Sequence, residues 1–202
     1  LNPTLMEASP GVLLVGHPYA VLGRAEDIRA AARACDAASI PFALRNVFGD
    51  YGRQWADLHQ DFPLMDRLDP LASYRANLFV LNANEMASVP QQLGKDFMAG
   101  HYNIGYWAWE LSGFPDAWLP ALAGLDEIWA PSKFVEQAVS AKTDMPVIWM
   151  PLAVEPGDIP LMPRQSLGLP ERRFLFLFFF DFRSFVSRKN PQAVMTAFQQ
   201  AF

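Results

Sequence analysis

The sequence predicts an open, doubly wound α/β fold, a mostly parallel Rossmann-like sheet followed by the first β–α unit of a second domain. Three observations predict it. Short apolar runs alternate with stretches of helical period, which is the pattern of parallel strands joined by crossover helices. Hydrophobic residues make up 51% of the 202 and charged residues only 18%, enough apolar material for a sizeable core and too much for global disorder. Five prolines, Pro151, Pro156, Pro160, Pro163 and Pro170, then interrupt the rhythm, and a new apolar run follows them.

Taken in order, residues 11–16 (GVLLVG) read as a buried strand. Residues 25–38 form a helix with Ile28, Ala31, Ala32 and Cys35 on one face, and with Glu26, Asp27, Arg29 and Arg33 away from it. Residues 41–48 and 77–82 are the next strands, separated by a long polar and aromatic loop with one short helix. Residues 103–109 are a strand, 116–122 a short helix and 127–130 a strand. Ser132 is a good N-cap for a helix over 133–141, and 147–150 is a further strand. The domains expected are 1–152, a proline-rich linker over 153–171, and the opening of a second domain over 172–202. In the last of these, residues 174–182 (FLFLFFFDF) form a strand without alternation, hence one buried on both faces. Asn190 and Pro191 start a helix with an apolar stripe through Val194, Met195, Phe198, Ala201 and Phe202. A start at Leu1 and an end inside an apolar segment read as a piece of something longer.

Sixteen basic residues against 21 acidic ones, with no basic run, argue against a duplex nucleic-acid partner. Cys35 is the sole cysteine, so there is no internal disulfide framework, and it reads as core rather than nucleophile. No apolar run reaches the roughly 18–20 residues a spanning helix needs. The three histidines, His17, His59 and His101, show no metal-binding spacing, and no GxSxG elbow occurs.

Three segments could carry chemistry. The first is the loop 17–27 (HPYAVLGRAED), between a strand and a helix N-terminus, where Gly23 would let a ligand approach the backbone; an ordinary βα turn reads the same way. The second is 103–118. As a strand, 104–110 puts Tyr106, Ala108 and Glu110 on one face and Trp107 and Trp109 on the other, delivering Glu110 to the carboxyl end. Aromatic rings beside a carboxylate suit a sugar, while tryptophan is equally a core residue. The third is 181–191 (DFRSFVSRKNP), where Arg183, Arg188 and Lys189 precede a helix N-terminus, as a diphosphate cradle or as a solvated basic turn.

Several ordered motifs then resemble those of GT-B-fold glycosyltransferases of the family-4 type. They are Trp109-Glu110, Phe114-Pro115 and Trp118; residues 126–138 (DEIWAPSKFVEQA); residues 146–151 (PVIWMP); and residues 180–191. The resemblance spans about residues 11–202. It implies two facing Rossmann-like domains, the first mainly acceptor-binding and the second binding a nucleoside-diphosphate sugar donor. It matches Lys189 to the lysine that neutralises the donor diphosphate, Arg183 to its arginine partner, and Gly23 and Arg24 to the glycine-containing loop near donor phosphate and acceptor. Glu110 falls near a site histidine of many relatives and is carried as the candidate catalytic residue. The family's E-x7-E motif is absent from the chain.

The resemblance implies a metal-independent hexosyltransferase, expected to retain anomeric configuration, with a glycan or lipid acceptor and no tightly bound cofactor. Its expected setting is bacterial polysaccharide biosynthesis in the cytoplasm, with at most peripheral membrane contact. The polypeptide alone is expected to have little activity, and its 174–182 strand is expected to pair with the preceding domain or with a second copy. The alternatives are a non-catalytic sugar-recognition module on the same fold and, last, a flavodoxin-like nucleotide binder.

Overall fold

The computed structural model describes residues 9–20, 23–47, 62–154, 160–180 and 186–202. The chain forms two compact units, Leu1–Glu155 and Pro156–Phe202.

The first unit is built on six parallel strands: β1 (Val12–Gly16), β2 (Phe42–Asn46), β3 (Ala76–Phe79), β4 (Tyr102–Tyr106), β5 (Glu127–Ala130) and β6 (Val147–Trp149). Their order is β2-β1-β3-β4-β5-β6, an open Rossmann-like sheet. Side chains along a strand alternate between faces, and both faces are covered. Leu13 and Val15 join Phe79, Trp107, Ile128 and Ala130 in one core, whereas Leu14 joins Leu44, Leu78, Val80 and Ile104 in the other. Helix α1 (Gly23–Ala37) covers the second core with Ile28 and Ala32. The first core is covered by α2 (Ala83–Met86), α3 (Val89–Leu93), the 3-10 segment Asp116–Leu122 and α4 (Lys133–Ser140).

Local rules account for several element ends. Ser132 caps α4, its hydroxyl accepting from the Val135 N–H at 3.3 Å. Two glycines are dictated by close approach. A side chain at Gly16 would meet the Val80 carbonyl at 2.9 Å, and one at Gly105 would meet the Trp107 indole at 2.8 Å and Leu125 at 2.9 Å.

Two sequence expectations are corrected in the first unit, and one unassigned stretch is filled. The strand expected over 103–109 ends at Tyr106, because Trp107 leaves the sheet into the core, its N–H still bonded to the Trp129 carbonyl at 3.0 Å. Arg29, expected to face away from the core, is 4% exposed; its guanidinium bonds the Pro18 and Ala20 carbonyls at 3.0 and 3.1 Å and Glu26 at 3.0 Å. Through these two carbonyls it pins the β1–α1 loop. Residues 83–93, unassigned by periodicity, contain α2 and α3, helices of four and five residues that are too short to show a repeat.

In the second unit, the 3-10 turn Arg164–Leu167 is followed by α5 (Val186–Lys189) and α6 (Pro191–Ala201). Asn190 caps α6, Oδ1 accepting from the Ala193 N–H at 3.3 Å. The strand expected over 174–182 is not formed within its described residues, 174–180. An apolar composition favours a strand, but only a neighbouring backbone completes one.

Replacing Gly105 with alanine forces a methyl against Trp107 and Leu125 at once. The expected cost is about 1–3 kcal/mol of unfolding free energy, with altered tryptophan near-UV circular dichroism. Wild-type stability in that variant would show that the indole yields freely.

Candidate functional site

The strand order reverses at β1. The chain moves outward from β1 to β2, then returns to add β3 on the other side, so the carboxyl ends of β1 and β3 flank the sheet's switch point. In open parallel sheets this crevice is where ligands bind. Here it holds His17 just after β1, Arg24 and Asp27 in the first turns of α1, and Asn82 and Glu85 just after β3, with the end of β4 beside them.

His17 Nε2 lies 3.0 Å from Glu85 Oε1, and Glu85 Oε2 accepts the Asn82 N–H at 2.7 Å. Burial alone would raise the Glu85 carboxyl. Hydrogen bonds from His17 and Asn82, with the charges of His17 and Arg24, outweigh it and hold the group below its ordinary value. An ionised carboxylate can only accept, so His17 Nε2 carries the hydrogen. The His17 side chain is 7% exposed.

Arg24 is the hub of the crevice. Its Nη1 donates to Asp27 at 2.8 Å, and Nη2 donates to the Tyr106 carbonyl and, at 3.5 Å, to that of Leu81. The guanidinium carbon stands 5.6 Å from the Tyr106 ring centroid, and Nε is buried with no partner among the described residues. Burial lowers the Arg24 pKa and raises that of Asp27, their mutual attraction offsetting only part of the lost hydration. Burial, reinforced by the charge of Asp27 and opposed by Arg24, pushes the Tyr106 phenol up to about 12. That phenol therefore stays a donor, and it binds the Met150 carbonyl at 2.9 Å.

The structure thus brings together part of the first predicted segment. Gly23 is the first residue of α1, and a side chain there would meet nothing within 4 Å. Glu110 is exposed, four residues past the end of β4, in an irregular segment rather than on the strand. Lys189 ends α5 in the second unit, immediately before the Asn190 cap, and is half-buried. Arg183 lies outside the described residues. Trp107 is stacked on Phe114 with centroids 5.6 Å apart, and Trp109 meets Trp118 edge-on at 4.8 Å, so these rings serve first as core. Burial raises the Cys35 thiol, as suits a packing residue.

Sequence reasoning missed Glu85 as a partner of His17. Asn82 followed by Glu85 after an apolar run is a capping-box pattern that marks a helix start, but it carries no signal of the pairing with His17. A separate cleft of about 430 Å³ runs between α2, α3 and the 3-10 segment Asp116–Leu122. It is lined by Trp118, Met86, Met98, two prolines, five alanines and Asn84, and its lining includes none of His17, Arg24 or Glu85. Among the described residues no three His, Cys, Asp or Glu side chains gather as a metal site, and no helix is long and apolar enough to cross a membrane.

No family model matches this chain, and no curated protein matches it.

Because the Glu85 pKa is lower in the folded chain than its ordinary 4.5, the stability it adds is full above that value and fades as pH falls through the lower folded one. Glu85→Gln is therefore expected to unfold more easily than wild type at pH 7, by about 1–3 kcal/mol, with the deficit shrinking in acid. Denaturant melts across the acidic range check this. A deficit unchanged by pH would mean that the carboxylate charge contributes nothing.

Proposed function

We propose that this chain belongs to a sugar-nucleotide-dependent glycosyltransferase, with the unit Leu1–Glu155 on the acceptor side and the cations around Lys189 on the donor side. The observation that carries this reading is the ordered series of motifs from Trp109 to Pro191 together with a Rossmann-like sheet. The first motif builds the aromatic cluster after β4, and the second supplies β5, the Ser132 cap and α4.

In this reading the His17–Glu85 pair and Glu110 meet acceptor or donor hydroxyls at the carboxyl edge of the sheet. Lys189, with Arg183, neutralises the diphosphate as the sugar's anomeric carbon transfers from phosphate oxygen to acceptor oxygen. Cations placed where charge develops supply the electrostatic stabilisation that such a transfer needs. Gly23 and Arg24 stand where a phosphate could approach α1. For Arg24 to serve it, the guanidinium would exchange Asp27 or a protein carbonyl for the ligand.

That last point favours a second reading, a non-catalytic sugar-recognition module on the same fold. Arg24 already gives both terminal nitrogens to the protein itself, as a residue with a purely structural role would. Turnover of a nucleoside-diphosphate hexose separates the two.

The test is Lys189→Ala in the full-length protein. Loss of one charge-assisted contact to the diphosphate is expected to weaken donor binding, measured by calorimetry, by roughly 10- to 100-fold. Unchanged donor binding and unchanged transfer would remove Lys189 from the diphosphate site.

A further inference from the structure

We propose that the cleft between α2, α3 and the 3-10 segment Asp116–Leu122 binds the alkyl chain of a single amphiphile, whose uncharged, hydroxyl-bearing head rests in the neighbouring crevice. The inference goes beyond the transferase reading and does not depend on it, because no sugar-nucleotide donor takes part in the binding.

The lining decides the chemistry of the chain. Met86 is 4% exposed, Met98 and Trp118 are half-buried, and prolines and alanines fill the surface between them. None of the described residues that line the cleft is charged, and Asn84 is the one amide among them. A charged group entering it would lose hydration without gaining a partner. Methionine side chains adapt readily to a flexible chain. The volume of about 430 Å³ is in the range of small-molecule sites. At the ~30 Å³ that a water-sized group occupies, it has room for roughly eight to twelve carbons.

The walls are fixed independently of any ligand. Glu85 Oε2 accepts the Asn82 N–H at 2.7 Å and so holds the start of α2. Trp118 meets Trp109 and Phe114 edge-on, with centroids 4.8 and 5.8 Å apart. The Met98 carbonyl accepts from Nδ2 of the buried Asn103 at 2.8 Å, which ties that wall to β4. Walls already in place leave little to be ordered on binding.

Helix α2 joins the cleft to the crevice. Ala83, Asn84 and Met86 line the cleft, while Asn82 and Glu85, their neighbours in the same turn, belong to the crevice. The Glu85 side chain is 26% exposed, and an ionised carboxylate there accepts a hydroxyl and repels an anion. Both terminal nitrogens of Arg24 are engaged by Asp27 and by two carbonyls. The head that fits is therefore uncharged and donates hydrogen bonds.

The experiment titrates the chain with alkyl maltosides by calorimetry, each below its micelle-forming concentration. One-to-one binding is expected, tightening about 3- to 4-fold for each added methylene, the value of burying one such group. The gain is expected to stop at roughly ten carbons, where the cleft is full. Decanoate, whose charge meets Glu85, is expected to bind at least ~10-fold more weakly than decyl maltoside. Ala87→Phe and Ala123→Phe each place a ring in the cleft from an exposed position, one on the α2 wall and one on the 3-10 wall. Each is expected to weaken decyl maltoside binding at least ~10-fold by overfilling the space. Thermal melts check that the variants fold; if neither does, the chain-length profile and the decanoate comparison decide alone. An absence of binding, an affinity that climbs with chain length without levelling, decanoate bound as tightly as the maltoside, or wild-type affinity in both folded variants would each overturn the proposal.

Discussion

A sheet whose strands all run the same way must be covered on both faces, and in this chain that requirement organises nearly everything else. Alternate residues of β1 feed different cores, Leu13 and Val15 into one and Leu14 into the other. The two covers differ in kind. One is the long helix α1, which approaches closely because Ala25 and Ala32 are small and buried. The other is a patchwork of short helices around large rings, Phe79, Trp107 and Phe114 among them. Gly16 and Gly105 are the places where this two-sided packing leaves no room for a side chain.

Parallel strands also deliver their carboxyl ends, and the carbonyls just beyond them, to one edge. Arginines answer that concentration of acceptors. Arg29 binds the carbonyls of Pro18 and Ala20, and Arg24 binds those of Leu81 and Tyr106. Asp27 and Glu26 then balance the cations from the same helix. The crevice is therefore an electrostatic closure of the sheet before it is anything else. The His17–Glu85 pair sits inside that closure, with the carboxylate kept ionised by its hydrogen bonds.

Legibility followed interaction range. The strands at 127–130 and 147–149, the Ser132 cap and the Asn190–Pro191 helix start were readable because each rests on neighbours within a few residues. The end of β4 was not. Residues 107–109 continue an apolar pattern, and only the stacking of Trp107 on Phe114 draws the chain off the sheet. Arg29 was misassigned for a similar reason: a charged residue on a helix reads as solvent-facing until two loop carbonyls from nine and eleven residues earlier are brought to it. The motif resemblance pointed to the β1–α1 loop and to Glu110, but it did not foresee that Arg24 turns inward or that Glu85 meets His17.

What the sequence determined by itself is the class of fold: apolar runs too short for helices, spaced by helical stretches, have parallel pairing under cover as their stable solution. It also determined that residues 174–180 are an unbroken run of seven large apolar side chains, though not that they form a strand. Tertiary structure alone decided strand order, the position of the switch point, and which polar side chains meet there. His17 and Glu85 are 68 residues apart, and nothing local relates them. They become partners because β3 adds beside β1, and that choice is made by how side chains from distant parts of the chain fill the two cores.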